Sequence, residues 1–279
     1  MEIQILKFMD YYSNTTVWIT GASSGIGEAL VLRYAQLGAS VILSSRNIDK
    51  LNAVAEKCRN IPTVNGSAAE FFVIPVDMSS ESSITEAWEK VKSLNRKIDI
   101  LINNAGISQR ALTRDASIDI DRKVMDLNYF GPVFLTKLVL PHMLDNKKGH
   151  IVAISSIVGK FGFPLRSAYS ASKHALKGFF ESLDAEEYQN NIRVTLVYPG
   201  FITTNISVNA VTADGTASGE MDNNQKGGMS PETCAKKIVR GIEKEKHELL
   251  VGKKELLLVH IRRFLPALYY KMARKVSPT

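Results

Sequence analysis

Short apolar runs alternate with longer stretches of helical periodicity along most of the chain. Seven runs have the length and composition of buried strands, and they lie at residues 17–20, 41–44, 71–76, 98–102, 149–154, 192–197 and 249–251. The intervals between them are long enough for amphipathic helices. Repeated strand–helix–strand units require parallel pairing, with helices covering both faces of the sheet. The pattern therefore predicts an α/β fold with a doubly wound, parallel, seven-stranded sheet.

We divide the chain into an N-terminal extension at 1–14, a single α/β domain at 15–252 and a C-terminal helical segment at 253–279. Within the domain, residues 203–228 are rich in Asn, Thr, Ser, Gly and Ala and directly follow a strand. Ligands bind at the carboxyl ends of strands in open α/β sheets. We therefore expect 203–228 to be an active-site lid, with a disordered insertion as the alternative.

The formal net charge of +7 is concentrated in the C-terminal segment. Seven basic residues stand there against the single acid Glu255, a local charge of +6, which leaves +1 for the preceding 252 residues. A near-neutral domain gives no reason to expect a nucleic-acid partner. The segment mixes apolar and basic residues and is interrupted at Pro266, which predicts two short helices. They could make peripheral contact with an anionic membrane, or pack on the domain or on a partner subunit with solvated charges.

The cysteine and histidine patterns argue against a metal site. The two cysteines, Cys58 and Cys234, form no CxxC pair, and the five histidines show no metal-ligand spacing. We expect no metal and no disulfide framework, and hence a reducing, cytoplasmic location. The N-terminus carries Glu2 and Asp10 and lacks a long apolar run, so we expect neither a signal peptide nor a membrane anchor.

A glycine-rich turn directly follows the first apolar run. Residues 20–27 read Thr-Gly-Ala-Ser-Ser-Gly-Ile-Gly and lead into a helical stretch. Glycines allow a tight turn and close backbone approach to a pyrophosphate, whose charge is stabilised by amides at the helix N-terminus. Three glycines alone are a weak signal, but strand, turn and helix in this order predict a Rossmann-type dinucleotide site. Its residues would be Gly21, Ser23, Ser24, Gly25, Ile26 and Gly27.

The end of the second strand indicates which dinucleotide is bound. The position expected to bond the adenosine ribose is Ser45 rather than a carboxylate, and Arg46 follows it. A carboxylate would repel a 2′-phosphate, whereas a hydroxyl beside a guanidinium would receive it. We therefore expect NADP(H) in preference to NAD(H), unless Arg46 is an ordinary solvated loop residue.

Tyr169 and Lys173 are candidates for proton transfer. They are four residues apart in a helical pattern, so the phenol and the ammonium share one face. An adjacent ammonium is expected to lower the pKa of the phenol, which helps it exchange a proton with a carbonyl or alcohol oxygen. The same spacing arises by chance at Tyr270 and Arg274. What distinguishes Tyr169 is Ser156, at the end of a strand and available as a hydroxyl donor to the same substrate oxygen.

Together these residues resemble the short-chain dehydrogenase/reductase family, over about residues 15–252. The resemblance implies that Tyr169 is the general acid of ketone reduction, that Ser156 orients the carbonyl, that Lys173 bonds the nicotinamide ribose and that Asn128 holds a water in the proton relay. It also implies cofactor contacts from Asp77 and Met78 at the adenine, Asn104 over the adenosine ribose, Ile202 and Thr204 at the nicotinamide end, and from Ala105, Gly106, Tyr169, Lys173, Pro199 and Gly200. A non-catalytic dinucleotide-sensing protein would keep the glycine turn but would not need the catalytic set.

Residues 127–132, 166–169 and 204–215 are similar to the animal branch of this family that includes the peroxisomal acyl/alkyl-dihydroxyacetone-phosphate reductase. That branch carries an N-terminal membrane anchor, which we do not expect here. The resemblance implies a lipid-linked ketone such as acyl-dihydroxyacetone phosphate; the catalytic residues equally permit a broad-specificity carbonyl or hydroxysteroid-type reductase. Arg166 and Arg110 could receive an anionic headgroup, or be surface arginines. The resemblance also implies a homodimer or homotetramer.

Overall fold

A computed structural model describes residues 12–62 and 69–275, so most of the predicted N-terminal extension lies outside the described residues. The strands form one parallel sheet in the order β3-β2-β1-β4-β5-β6-β7. This confirms the predicted doubly wound, seven-stranded sheet. The strands are β1 (Thr16–Thr20), β2 (Ser40–Ser44), β3 (Phe71–Val73), β4 (Ile100–Asn103), β5 (Gly149–Ile154), β6 (Ile192–Pro199) and β7 (Glu248–Val251).

Helices cover both faces of the sheet. The α-helices of the described residues are α1 (Gly25–Gln36), α2 (Ile48–Arg59), α3 (Glu81–Ser93), α4 (Ile118–Met125), α5 (Gly131–Asp145), α6 (Ser167–Glu187), α7 (Asn223–Lys226), α8 (Pro231–Glu243), α9 (Leu257–Phe264) and α10 (Pro266–Ala273), of which α1, α2 and α8 cover one face and α3, α5 and α6 the other. Alternate residues of β1 show the two layers, since Val17 and Ile19 pack with α1, α2 and α8, whereas Trp18 packs with α3, α5 and α6. Both faces of the sheet are therefore buried, which accounts for the uninterrupted apolar runs in the sequence.

The strand order places a crevice beside the carboxyl end of β1. This strand lies between β2 and β4, so the chain leaves it toward one side and returns to its other side after β3. Connections diverge at such a point and leave an open crevice between the loops. The glycine-rich turn after β1 and the loops after β4 and β5 all end at this crevice.

The third strand is shorter than its apolar run. The predicted strand at 71–76 is paired as a strand only over Phe71–Val73, and the amides of Ile74 and Val76 continue to donate to carbonyl oxygens of β2 and of the residue after it. Pro75 between them has no N–H, which a sheet edge tolerates because one side of an edge strand is unpaired. The run therefore continues β3 along the edge without full pairing.

The C-terminal segment forms two short helices, as Pro266 predicts. Helices α9 and α10 meet at Leu265, and Pro266 is the first residue of α10, where a missing N–H costs no hydrogen bond. Tyr269 of α10 is buried against Phe161 in the loop after β5. Within the described ranges, we find no helix of the length and apolar character that crossing a bilayer requires.

Candidate active site

The glycine-rich turn after β1 is shaped by backbone conformation and by close packing. Gly21 and Gly25 have φ of +66° and +59°, the left-handed region that favours glycine. At Gly27 a Cβ atom would overlap the carbonyl oxygen of Gly21. The residue before α1, Ser24, makes no side-chain cap, so its hydroxyl takes up none of the amides of the first turn. An anion is a suitable partner for such amides.

Hydrogen bonds from the Asn104 side chain link this turn to the end of β4. Its Nδ2 donates to the carbonyl oxygens of Thr20 at 2.9 Å and of Gly21 at 3.2 Å. In return the Thr20 hydroxyl accepts from the amides of Asn104 at 3.0 Å and Ala105 at 3.1 Å. The resemblance implies a ribose contact for Asn104, which stays a prediction. In the structure, its amide nitrogen sets the position of the turn.

One cavity of about 560 Å³ lies at the carboxyl ends of the strands. Ser156 and Arg166 line it, whereas Gly27 is packed behind the turn and Asn128 is buried below the wall. The predicted cofactor-binding residues that line it are Gly21, Ser23, Ser24, Gly25, Ile26, Ser45, Arg46, Asp77, Met78, Asn104, Ala105, Gly106, Tyr169, Lys173, Pro199, Gly200, Ile202 and Thr204.

At the end of the cavity next to β2, Ser45 has an unsatisfied hydroxyl. Its Oγ is buried and has no hydrogen-bond partner in the described part of the chain. Buried polar atoms are usually paired, so an orphaned hydroxyl in a cavity wall is suited to receive a ligand. Burial acts to raise the pKa of Asp77, but hydrogen bonds from Ser79 and the positive charge of Arg46 outweigh it, so the pKa is lowered. Arg46 is therefore close enough to Asp77 to affect its charge state.

The sequence analysis did not identify two residues that line this end of the cavity. Asn47 and Lys50 line the cavity beside Arg46, and Asn47 caps α2 by accepting from the Lys50 amide at 2.9 Å. Lys50 therefore adds a second basic residue to the cavity wall that contains Ser45 and Arg46. The available signal was its place four residues after Arg46, at the start of a capped helix.

Ser156, Tyr169 and Lys173 come together at the other end of the cavity. Ser156 follows β5, and hydrogen bonding with its hydroxyl acts to lower the pKa of the Tyr169 phenol. Tyr169 and Lys173 lie in the first two turns of α6, with the Lys173 Nζ 5.8 Å from the centre of the Tyr169 ring. That Nζ donates to the carbonyl oxygen of Ile154 at 2.9 Å. The tight approach of α6 to this loop requires Gly159, where a Cβ atom would overlap Ser155 Oγ.

The pKa of Tyr169 is shifted in the direction opposite to our expectation. We expected Lys173 to lower it, but burial raises it, and the opposing contributions come from the Ser156 hydrogen bond and the charge of Arg166. Lys173 is itself buried, which lowers its own pKa from 10.5 to about 8. The phenol is therefore held in its protonated form, the form that a proton donor requires.

Asn128 supports the site from below. It lies in a wide helical turn at Asp126–Phe130 between α4 and α5 and is fully buried. Its Oδ1 accepts from the Ile107 amide at 2.8 Å, while its Nδ2 donates to the Ile107 carbonyl at 2.9 Å and to Ser172 Oγ at 3.0 Å. Wide turns of this kind often occur at functional sites. The water-holding role that the resemblance implies stays a prediction.

Arg166 lies at the substrate end of the cavity and is paired with a residue that the sequence did not single out. Leu165 before it has a left-handed φ of +63°, uncommon for leucine, which turns the chain into α6. Arg166 Nη2 lies 2.8 Å from Asp222 Oδ2, and both residues line the cavity. Asp222 belongs to the predicted lid at 203–228, so the ion pair joins this segment to the catalytic helix.

Arg110 does not reach this cavity. It borders a separate shallow depression with residues such as Asp115 and Asp214, and its amide donates to the carbonyl of Val211 at 2.8 Å. Of the two candidate headgroup arginines, the structure brings only Arg166 to the catalytic residues. Arg110 follows the 103–106 turn closely in the sequence, but the loop places it at a different site from the one that the turn lines.

Neither cysteine lines this cavity. Cys58 and Cys234 are free and buried, and burial raises the pKa of each thiol to about 12. Across residues 12–62 and 69–275, no group of three or more His, Cys, Asp or Glu side chains could hold a metal ion. The polar side chains that line the cavity around Tyr169 include the Ser156 hydroxyl, the Lys173 amine and the Arg166 guanidinium.

A doubly wound parallel sheet with a glycine turn at its central strand and a Ser–Tyr–Lys set in the same cavity defines an oxidoreductase of the Rossmann type. The family model described as "short chain dehydrogenase" matches residues 15–215. The chain belongs to the short-chain dehydrogenase/reductase family.

Relatives and solved structures agree with this assignment. The chain is 41% identical over 271 residues to "Dehydrogenase/reductase SDR family member 7B" of Mus musculus, covering 97% of this chain and 83% of that protein. It is 40% identical over 275 residues to "Dehydrogenase/reductase SDR family protein 7-like" of Drosophila melanogaster, covering 98% and 84%. A short-chain dehydrogenase from Streptomyces avermitilis superposes with a TM-score of 0.78 at 26% identity, covering 95% and 98%. A metagenomic short-chain oxidoreductase in complex with NADP has a TM-score of 0.69 at 28% identity, covering 86% and 97%.

Proposed function

We propose that the protein reduces a ketone to a secondary alcohol with NADPH, with Tyr169 as the proton donor. The observation that carries this proposal is the meeting of Ser156, Tyr169 and Lys173 in the cavity that the glycine turn borders. A binding protein without turnover would need the turn but not this set. Burial raises the pKa of Tyr169, so at neutral pH the phenol carries the proton that a proton donor must supply.

The cavity wall fits a nicotinamide dinucleotide. The uncapped start of α1 suits a pyrophosphate, and the unpaired Ser45 hydroxyl with Arg46 and Lys50 suits the ribose 2′-phosphate that distinguishes NADP(H) from NAD(H). The NADP bound to the metagenomic relative supports the same preference. When bound, the dinucleotide supplies the hydride.

Each catalytic side chain has a role that its surroundings support. The Ser156 hydroxyl, in the same cavity wall as the phenol, would donate to the same carbonyl oxygen that Tyr169 protonates. Lys173, buried and with its pKa near 8, would bond the nicotinamide ribose and return a proton toward the phenol at small cost. Asn128 would hold the water that continues this relay, and the lid at 203–228 would cover the carbonyl.

We propose a lipid-linked ketone as the substrate, such as acyl-dihydroxyacetone phosphate. Phe161, Phe163 and Leu258 give the cavity an apolar wall, and Arg166 places a cation near Tyr169. A second candidate is an uncharged ketone of the broad-specificity carbonyl or hydroxysteroid type. It is favoured by one observation: the charge of Arg166 is already balanced by Asp222.

Oxidation of NADPH with a panel of ketones tests the function. The panel contains acyl-dihydroxyacetone phosphate, 3-ketosphinganine and a steroid ketone, and turnover of the first alone would favour the phosphorylated class. Tyr169→Phe should abolish oxidation while NADPH binding, followed by its fluorescence, is retained. Unchanged oxidation in that variant would falsify the proton-donor assignment.

Assembly and location are also part of the proposal. We infer a homodimer or homotetramer, supported by the large exposed side chains of Ile118 on α4 and Phe130 just before α5. A reducing, cytoplasmic compartment is supported by the two buried free thiols. Light scattering of the purified protein and microscopy of a tagged chain test these two points.

A further inference from the structure

The outer side of α9 and α10 carries a concentration of exposed apolar side chains. Six of the ten large hydrophobic residues that are exposed in the described part of the chain lie within these two helices and the residue that joins them. Leu257 and Phe264 are seven apart on α9, and Leu268 and Met272 are four apart on α10, with Leu265 at the junction of the two helices. Each set therefore shares one helix face. We call these five residues the C-terminal apolar face.

Basic side chains accompany this face. Arg263, Lys271, Arg274 and Lys275 are exposed in the same two helices and the turn that follows them. In the part of the chain that the structure describes, none of the four forms an ion pair with a carboxylate. Arg263 stacks on Phe264, with its guanidinium 5.5 Å from the ring centre. Cations and exposed apolar groups thus occur together on these two helices, and no carboxylate of the described residues neutralises the four cations.

The inner side of the same helices is fixed to the cavity. Tyr269 is only 3% exposed and packs on Phe161 with ring centres 5.3 Å apart. Its hydroxyl donates a hydrogen bond to the carbonyl oxygen of Gly162. Glu255, just before α9, accepts from the amide of Phe201 at 3.0 Å. Leu258 of α9 lines the cavity itself. The apolar face is therefore attached rigidly to the cavity rim.

We propose that the C-terminal apolar face docks on an anionic lipid bilayer and sets the mouth of the cavity at the membrane surface. Interfacial helices of this kind bury an apolar face at the headgroup boundary while basic residues contact anionic headgroups. A second copy of the chain is a poorer occupant, because it would oppose two segments that each carry a charge of +6. The delivery of a lipid ketone to the cavity rests on the proposed function; the docking itself does not.

The test is flotation of the full-length protein with vesicles, in the absence of cofactor and substrate. Vesicles of phosphatidylcholine alone are compared with vesicles that also contain phosphatidylserine. The wild type should float with the anionic vesicles and lose this binding at high salt. The double variant Phe264→Ser with Leu268→Ser should bind at least about tenfold more weakly. Arg263→Glu with Lys271→Glu should remove the preference for phosphatidylserine.

Ile48→Ser is the matched control, since Ile48 is similarly exposed but lies on α2. Circular dichroism melts show whether each variant is folded, which is expected because both replaced apolar side chains are solvent-exposed. Equal flotation of wild type and both double variants overturns the proposal. So does a wild type that does not float while the Phe264→Ser, Leu268→Ser substitutions dissociate an oligomer, because the face is then a subunit interface.

A second readout separates docking from catalysis. If the proposed reductase activity is present, the Phe264→Ser, Leu268→Ser variant should turn over a vesicle-embedded ketone more slowly and a short water-soluble ketone at the wild-type rate. Equal loss on both substrates contradicts the delivery role. If no ketone is reduced by the wild type, the proposed function fails, and the flotation result still decides the docking.

Discussion

The ion pair between Arg166 and Asp222 joins the start of α6 to the 203–228 segment in the wall of the cavity that also contains Tyr169. The two side chains are 16% and 15% exposed, and the charged atoms are 2.8 Å apart. An anionic headgroup would compete with Asp222 for the same guanidinium. Arg166→Ala should therefore raise KM for a phosphorylated lipid ketone roughly tenfold to a hundredfold, the range of a charge-assisted hydrogen bond.

The same substitution should spare an uncharged ketone. Arg59→Ala serves as the control, because Arg59 also pairs with a carboxylate but does so on the exposed surface of α2. Asp222→Asn should lower KM for the phosphorylated ketone by releasing the guanidinium. Equal effects of Arg166→Ala on both ketones would sink the headgroup assignment.

Cofactor choice should depend on the cations next to Ser45. The double variant Arg46→Ala, Lys50→Ala should raise KM for NADPH at least about tenfold, because each cation can contact the 2′-phosphate, and should leave KM for NADH nearly unchanged. Initial rates with each dinucleotide measure this. Parallel losses with both dinucleotides would mean that the two cations do not discriminate the phosphate.

Gly27→Ala should damage the dinucleotide turn without altering any functional group. The added methyl would overlap the carbonyl oxygen of Gly21, so the turn must move. We expect a loss of about 1–3 kcal/mol in the free energy of unfolding, as for overpacked sites, and weaker NADPH binding by fluorescence. Gly178→Ala is the matched control, because a Cβ atom there meets nothing within 4 Å. In the middle of α6 it should stabilise by about 0.5–1 kcal/mol.

Ser156→Ala should shift the pH profile as well as slow the reaction. The Ser156 hydrogen bond lowers the pKa of Tyr169 against the effect of burial, so its removal raises that pKa further. Alcohol oxidation, which needs the phenolate, should then require a higher pH, and kcat should fall by roughly a hundredfold. Ser156→Thr retains a hydroxyl and should restore much of both. A slower enzyme with an unmoved profile would indicate a purely structural serine.

The features predicted correctly from the sequence are those encoded by neighbours along the chain. The order of strands and helices follows from periodicity, the glycine turn from its position after β1, and the break between α9 and α10 from Pro266. The pairing of Arg166 with Asp222 could not be predicted in this way, because 56 residues separate them and Asp222 lies in a segment without periodicity.

The degree of burial of individual side chains could not be predicted from the sequence either. The spacing of Tyr169 and Lys173 correctly placed them on one helix face, but the direction of the phenol pKa depends on how far both are removed from water. Likewise, Arg110 and Arg166 both lie near family motifs in the sequence. The path of the loop after β4 places Arg110 at the shallow depression, whereas Arg166 lines the cavity.

The buried Lys173 should make the free energy of unfolding depend on pH, which can be tested without a substrate. Its pKa is lowered by burial from 10.5 to about 8, so between these values the folded protein binds fewer protons than the unfolded chain. Stability therefore rises with pH across this window, because the cost of burying the charged amine disappears as the amine loses its proton. The full difference corresponds to roughly 3 kcal/mol.

Lys173→Met removes this titration while filling a similar volume. Other groups also titrate in the window, including the two buried thiols, so the relevant quantity is the difference between wild type and variant. Urea unfolding at pH 8 and pH 10 should show the wild type gaining stability relative to Lys173→Met as the pH rises. A difference that does not change between the two pH values would mean that the pKa of Lys173 is not lowered in the folded protein, because an amine already neutral at pH 8 would give an even larger change. Unfolding at pH 6 locates the folded-state pKa, because the difference should level off below pH 8 if that pKa is about 8 and should keep changing if the pKa is lower.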